Sequence, residues 1–258
     1  MKKIKIATWN VNSILARLDR LKNFLKTENP DVVCLQELKC QEEKYPFKEL
    51  EELGYYSEVV GQKSYNGVAI LSKEKAKNVF KKMDTEEDSH ARFISAELYG
   101  IKVHSLYVPN GKDLTDPAFE YKLKWLMRLK AHLKENYSEK DCVLLTGDFN
   151  IAPTDLDVYD PVKWKNRLHC SVPERDTLNA LVSFGFEDTY RKIYPDKKEF
   201  SWWDYRNGSF WRNWGLRIDF LLATAPLMKK CKETKILREE RKGEKPSDHV
   251  PVISVFEV

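Results

Sequence analysis

Several apolar stretches of this chain end in the same way, in an amide or an acid, and that pattern limits the available folds more than any other feature. Residues 4–10 run into Asn10, 31–36 into Glu37, 102–108 into Asn110, and 143–146 into Asp148 and Asn150, while Asp248 and His249 directly precede 250–258. Short apolar runs bounded by polar residues read as buried strands. One such polar residue can be a turn residue. Many placed alike point to strands whose ends share one edge of a sheet assembly, the setting in which sites form.

Helical patterns alternate with these strands. Asn12 or Ser13 offers an N-cap, Leu15, Leu18, Leu21 and Leu25 recur at helical spacing, and Pro30 stops the run. Residues 67–72 read as a further strand, and 92–99 with 102–108 as an antiparallel hairpin turning near Gly100. Leu123, Leu126, Leu129 and Leu133 mark a helix over 119–133, and a second helix covers 176–184 with Gly185 as its stop. Strands over 218–224 and 250–258 close the chain. Mixed strands and helices of this kind predict an α/β sandwich with two packed sheets. No repeat or Gly/Ser-rich linker divides the 258 residues, so 1–258 is expected to be one domain.

Composition narrows the setting. Lys and Arg total 44 against 40 Asp and Glu, so a basic footprint, where there is one, must be local. Five cysteines without a Cys-x-x-Cys pair fit reduced thiols in a cytoplasmic, intracellular compartment. The apolar stretch after Met1-Lys2-Lys3 is broken by Lys5, Thr8 and Asn10, which argues against a secretory or membrane segment. The chain is taken as a monomer with no membrane association.

Glu37, Asp148, Asp219 and Asp248, with the amides of Asn10, Asn110 and Asn150, make an oxygen-rich set of the kind hard divalent ions take. His249 alone among five histidines stands beside such a carboxylate and a serine. Hydrolysing a phosphodiester needs an oriented water, a base and cationic groups facing the phosphoryl oxygens, and this set contains candidates for each.

The segments Thr8-Trp9-Asn10-Val11-Asn12, Leu35-Gln36-Glu37-Leu38-Lys39, Tyr107-Val108-Pro109-Asn110, Gly147-Asp148-Phe149-Asn150, Gly215-Leu216-Arg217-Ile218-Asp219 and Ser247-Asp248-His249 resemble, in order, the motifs of the exonuclease III family of DNA-repair nucleases. The resemblance covers essentially the whole chain. It implies a four-layered α/β sandwich, two mixed β-sheets flanked by helices, with a Mg²⁺ or Mn²⁺ site. It also implies a 3′→5′ exonuclease on duplex DNA that cleans blocked 3′ ends and incises abasic sites, acting on nicked, 3′-blocked or abasic duplexes. Glu37 is similar to the family's principal metal ligand, with Asn10, Asp248, Asp148, Asn150 and His249 around the metal. Asp148 resembles the carboxylate that activates water or protonates the leaving group, and Asn150 the amide that orients the nucleophile. Tyr107 and Asn110 would hold the phosphate, and Asp219 would orient His249. Asp148 and His249 both remain candidates for the base.

Four of the seven tryptophans fall between Trp202 and Trp214, among arginines. They read either as loop packing or as a wall that stacks on a sugar or base. The resemblance implies that Trp202, Leu216 and Ile218 line a nucleotide pocket and that Trp211 and Trp214 touch the duplex. Lys112 and Lys122, which follow the Tyr107 motif, read either as phosphate contacts or as solvated lysines, and 229–245, with both charge signs mixed, reads as solvated surface. Two departures stand out. His169 replaces the smaller residue associated with strong abasic endonucleases, which would narrow the pocket and favour 3′-end trimming and 3′-phosphate removal. Asn12 stands where some relatives carry Asp, which would weaken a second metal position. The rival readings are a phosphodiesterase of the same superfamily acting on phosphoinositides, sphingomyelin or RNA tails, and a non-catalytic DNA-binding module. The latter predicts losses among Glu37, Asp148, Asn150 and His249, and all four are present.

Overall fold

A computed structural model describes residues 2–83 and 88–258. Its strands are β1 (Lys3–Asn10), β2 (Val32–Gln36), β3 (Tyr56–Val60), β4 (Val68–Ser72), β5 (Lys77–Phe80), β6 (Phe93–Leu98), β7 (Ile101–Tyr107), β8 (Val143–Asp148), β9 (Phe186–Asp188), β10 (Trp202–Trp203), β11 (Gly215–Leu216), β12 (Asp219–Thr224), β13 (Cys231–Ile236) and β14 (Val252–Glu257). One six-stranded sheet has the order β13-β14-β1-β2-β4-β3, the other β5-β6-β7-β8-β12-β9. Each sheet holds one parallel pair, β1 with β2 and β7 with β8, and the other pairs are antiparallel. A parallel pair needs a crossover. The helix Leu18–Glu28 supplies it in the first sheet and Pro117–Asn136 in the second.

The alternation of strand side chains divides the core into layers. Ile4, Ile6, Val32 and Cys34 of one sheet pack with Val103, Leu144 and Leu221 of the other. The opposite face of the first sheet, with Ala7, Trp9, Val33 and Leu35, meets Leu21, Phe24 and Leu25 of the helix Leu18–Glu28. On the second sheet, Leu106, Val143, Leu145 and Phe220 meet Trp125, Leu126, Leu129 and Leu133 of Pro117–Asn136, and Leu178 and Leu181 of Val172–Val182. Helix, sheet, sheet and helix form the four layers.

Along the inner faces the apolar character fades toward one edge. Past Ile6, Cys34, Val103 and Leu144, the same faces carry Thr8, Gln36, Ser105 and Thr146, all fully buried. Gln36 Nε2 donates to Ser105 Oγ across the sheets at 3.1 Å, Thr8 Oγ1 donates to Gln36 Oε1 at 3.2 Å, and Thr146 Oγ1 donates to the His104 carbonyl at 2.8 Å. This layer satisfies its own polar groups. One step further along the same faces stand Asn10, Tyr107 and Asp148.

Most expected elements are present with ends shifted by a few residues. The strands β3, β5, β9, β10, β11 and β13 lie outside the runs that read as strands. The strands β3, β5 and β13 lie at sheet edges and are only partly buried, so they lack a strong apolar pattern. In β13 the sequence Cys-Lys-Glu-Thr-Lys-Ile buries only Thr234, which makes the charged stretch 229–245 partly an edge strand. The helix over 176–184 begins instead at Val172, where Ser171 and Glu174 form a capping box. Neither Asn12 nor Ser13 caps a helix. Both have left-handed φ, and the α-helix starts at Leu18 after a 3₁₀ turn. All five cysteines are free, and burial pushes the Cys34 thiol up to about 12. No helix among the described residues is long and apolar enough to cross a membrane.

Gly147 explains itself sterically. Its φ is +142°, and a Cβ there would run into the carbonyl oxygen of Leu106 on β7. Gly147→Ala is expected to cost at least about 2 kcal/mol through the displaced β7–β8 pairing. Urea unfolding of the variant measures this, and wild-type stability would contradict it.

Candidate active site

Parallel pairing sets the C-terminal ends of β1 and β2 side by side, with Asn10 opposite Gln36. It does the same for β7 and β8, with Tyr107 opposite Asp148, and antiparallel β12 starts at the same edge with Asp219 opposite Asp148. The segment before β14 is drawn in by two bonds to β1. Ser247 Oγ donates to the Asn10 carbonyl at 2.7 Å, and Trp9 Nε1 donates to the His249 carbonyl at 3.2 Å.

Asn10 joins the two sheets. Its Nδ2 donates to Glu37 Oε1 at 2.8 Å and to Asp148 Oδ2 at 2.9 Å, while its Oδ1 accepts from the Asn12 N–H. Asp148 also accepts from the Asn150 N–H at 2.9 Å and from Asn150 Nδ2 at 3.2 Å. Asn150 is held in a left-handed conformation, and its Oδ1 accepts from Asn110 Nδ2 at 3.1 Å. Non-glycine residues in that region are uncommon and cluster at sites.

His249 Nδ1 lies 2.9 Å from Asp219 Oδ2, and its Nε2 lies 3.7 Å from Asp148 Oδ2. Ser201 Oγ fixes Asp219 by donating to Oδ2 at 2.6 Å. Burial works against a charged His249, but the Asp219 and Asp148 carboxylates outweigh it and hold the ring up to about 10. At neutral pH the imidazole is therefore a cation whose Nδ1–H donates to Asp219. Burial pushes Asp148 up to about 7; the His249 charge pulls it down, while Asp219 and Glu37 add to the rise. In a simple ion pair the acid would be lowered. Here burial and two further carboxylates prevail over a single imidazolium at 3.7 Å.

Asp248 accepts from Asn12 Nδ2 at 2.8 Å and from Trp202 Nε1 at 3.0 Å. Burial opposes its charge, but His249 and these two donors keep its carboxyl below the usual range. Tyr107 is raised well above its ordinary value by burial and by the Glu37 and Asp148 charges, so it stays a phenol. The guanidinium of Arg92 covers its ring at 4.6 Å.

Ligand atoms of Glu37, Asp148 and His249 lie within 4.8 Å of one another. Two carboxylates in reach of one point, with Asp219 and Asp248 nearby, match the oxygen preference of a hard divalent ion. A protonated His249 is a poorer ligand than either acid. Asp248 is outside that close group and connects to it through Asn12.

Other expected residues are placed differently. Lys122 is 0% exposed and cannot meet a phosphate. Its ammonium pairs with Glu174 and donates to the carbonyls of Asn150 at 2.6 Å and Asn110 at 3.2 Å, so it buttresses the Asn110–Asn150 pair from within. Leu216 is fully buried and Ile218 nearly so. They form an apolar floor packed beneath Trp202 and Trp164 rather than an open pocket wall. Arg217 between them is buried against Asp157 and Asp188. His169 is buried, with Nδ1–H donating to the Asn150 carbonyl at 2.6 Å and its ring between Trp164 and Trp202 at 6.3 and 6.4 Å. Burial and Lys122 push it down to about 4, so it is neutral. Of the clustered tryptophans, Trp203 is core, Trp214 stacks on Tyr159, and Trp211 is 76% exposed. Packing thus accounts for Trp203 and Trp214, while Trp211 is left to solvent. Lys112 reaches into solvent. Lys39, quoted within a motif but given no task, ion-pairs with Glu37 at 2.8 Å. Its only sequence signal was its position two residues past an acid.

The pattern of the endonuclease/exonuclease/phosphatase family matches residues 7–249. Exodeoxyribonuclease III of Haemophilus influenzae is 35% identical over 266 residues, covering 98% of this chain and all of its own. Among solved structures, an AP endonuclease from Archaeoglobus fulgidus aligns at TM-score 0.96 with 38% identity, over 99% of this chain and 100% of that one. The 3′ phosphatase NExo from Neisseria, bound to a product DNA hairpin, aligns at TM-score 0.96 with 37% identity and the same coverage.

The burial of Lys122 has a measurable consequence. Lys122→Met leaves Glu174 charged in the interior and is expected to cost about 3–5 kcal/mol in unfolding free energy. A variant of wild-type stability that binds DNA more weakly would restore the phosphate-contact reading.

Proposed function

The chain belongs to the endonuclease/exonuclease/phosphatase family, and from that membership we infer that it is a divalent-metal-dependent DNA-repair phosphodiesterase of the exodeoxyribonuclease III type. The observation that carries the chemical reading is the buried cluster in which Asn10 bridges Glu37 to Asp148, facing a His249 held as a cation by Asp219.

Glu37 and Asp148 would hold the cation, which would be Mg²⁺ or Mn²⁺, with Asp248 nearby. When bound, it supplies positive charge to the phosphoryl oxygens and orients them. In the metal-free protein burial and the neighbouring carboxylates raise the Asp148 carboxyl, and its oxygen not engaged by the cation is suited to take a proton from the attacking water. Asn150 and Asn10 fix the carboxylate in place for that transfer. The water oxygen forms a bond to phosphorus as the bond to the leaving oxygen breaks; the leaving oxygen takes up a proton from solvent, and Asp148 returns to solvent the one it took. The charged Nε2 side of His249 faces the phosphate, together with the phenol of Tyr107 and the amide of Asn110. These donors favour the negative charge that grows in the transition state.

Duplex DNA with nicks, blocked 3′ ends or abasic sites is the proposed partner, met by one catalytic domain acting as a monomer inside the cell. Exposed Trp211, with Trp214 and Arg212 beside it, offers a stacking and phosphate-binding surface. Trp202 reaches toward His249 at 6.5 Å, where it can cover a nucleotide. His169 fills the space between Trp164 and Trp202 as a neutral, locked ring, and this supports a preference for trimming 3′ ends and removing 3′-phosphates over abasic incision.

Labelled duplexes carrying a nick, a nick with 3′-phosphate, or an abasic site test the reading with Mg²⁺ or EDTA. Wild-type protein is expected to act on 3′ ends only with metal, and Asp148→Asn to lose about a hundredfold or more. His169→Gly, easily accommodated at a φ of +71°, is expected to shift the activity ratio toward abasic incision. Metal-independent cleavage or an active Asp148→Asn defeats the mechanism, and an unchanged ratio defeats the role of His169.

A further inference from the structure

Both oxygens of Glu37 already have partners. Oε1 accepts from Asn10 Nδ2 at 2.8 Å, and Oε2 pairs with the Lys39 ammonium at 2.8 Å. Lys39 also donates to Asn12 Oδ1 at 2.5 Å, and Asn12 Nδ2 donates in turn to Asp248 Oδ1 at 2.8 Å. A cation is thus built into the chain at the carboxylate best placed to hold a divalent ion. The Tyr107 phenol also hydrogen-bonds this carboxylate, so any ion taking an oxygen of Glu37 must share it with, or displace, one of these three partners. Asn10 is fully buried and bonded to Asp148 as well, so losing it would unbridge the two carboxylates. The Lys39 side chain is long, flexible and 29% exposed, so it is the partner more easily moved aside.

We propose that Lys39 is a built-in competitor for the divalent ion: its ammonium and the metal are mutually exclusive partners of Glu37 Oε2. The exchange swaps one positive charge for two at a fixed carboxylate, and Asn12 keeps Lys39 within reach when it lets go. Asn12 suits this because its neutral amide can accept from Lys39 and donate to Asp248 at once; an acid there would hold the ammonium more tightly. The inference rests on the metal-dependent reading above.

Calorimetric titration of the full chain with Mn²⁺, after chelator treatment and dialysis, tests it without reference to activity. Lys39→Met and Lys39→Gln are expected to bind Mn²⁺ about three- to thirtyfold more tightly than wild type, the scale for removing a like charge a few ångströms away in partly solvated surroundings. In the wild-type chain, site-resolved acylation of Lys39 should rise when Mn²⁺ is added, measured against lysines remote from the site. This second readout stands even where a variant fails to fold. Equal or weaker binding by the folded variants, or Lys39 labelling that Mn²⁺ leaves unchanged, overturns the proposal while the metal-dependent reading survives. Failure of wild-type protein to bind Mn²⁺ at all overturns both.

Discussion

The bridge from Asn10 to Glu37 and Asp148 is the contact on which the site depends. It ties an acid at the end of one sheet to an acid at the end of the other with a single neutral amide. Two carboxylates close together repel, and Asp148, the buried one, is raised by burial and by the Asp219 and Glu37 charges. An amide donor relieves both without adding charge, so the electrostatic balance is left to His249, Lys39 and the metal. A lysine at position 10 would occupy the place of the cation, and an alanine would remove the donor the two acids share, leaving Glu37 to Lys39 and Asp148 to Asn150.

That bridge is possible because the space between the sheets changes character along its length. Each inner face passes from aliphatic side chains to a layer of Thr8, Gln36, Ser105 and Thr146, and then to the acids and amides. The polar layer hydrogen-bonds within itself and supports the site rigidly. From outside, the same site is braced by Lys122 and Glu174 under Asn110 and Asn150, and by Ser201 under Asp219. Rigid support of this sort holds a charged imidazole against a carboxylate at 3.7 Å without letting it collapse into a bonded pair. An arrangement fixed before substrate arrives is the source of electrostatic catalysis.

Much of this was readable from the residues. The central strands carry strong apolar patterns with polar ends, and the order of six motifs identified both the sandwich and its chemistry. The edge strands β3, β5 and β13 were hidden because half-exposed strands carry charged residues that look like loops. Lys122 misled for a related reason. A lysine beside a motif suggests phosphate, and only the capping box Ser171–Glu174, some fifty residues on, supplies the buried acid that holds it. Leu216 and Ile218 were placed correctly in the chain but too close to the surface, since a motif does not reveal that Trp202 and Trp164 lie over them. Asn12 was read as a cap because its type favours caps; tertiary partners at Asp248 and Lys39 won instead.

The charge of His249 tests the account most directly, because it follows chiefly from the convergence of Asp219 and Asp148, both distant in sequence, on one ring. Nitrogen-15 NMR of the imidazole in chelator-treated protein is predicted to show a ring protonated through neutral pH and titrating near 10. Asp219→Asn should bring that titration down toward the ordinary imidazole value of about 6.5. A wild-type His249 that loses its proton near the ordinary value would contradict the account, since the acids would then not converge on the ring as described.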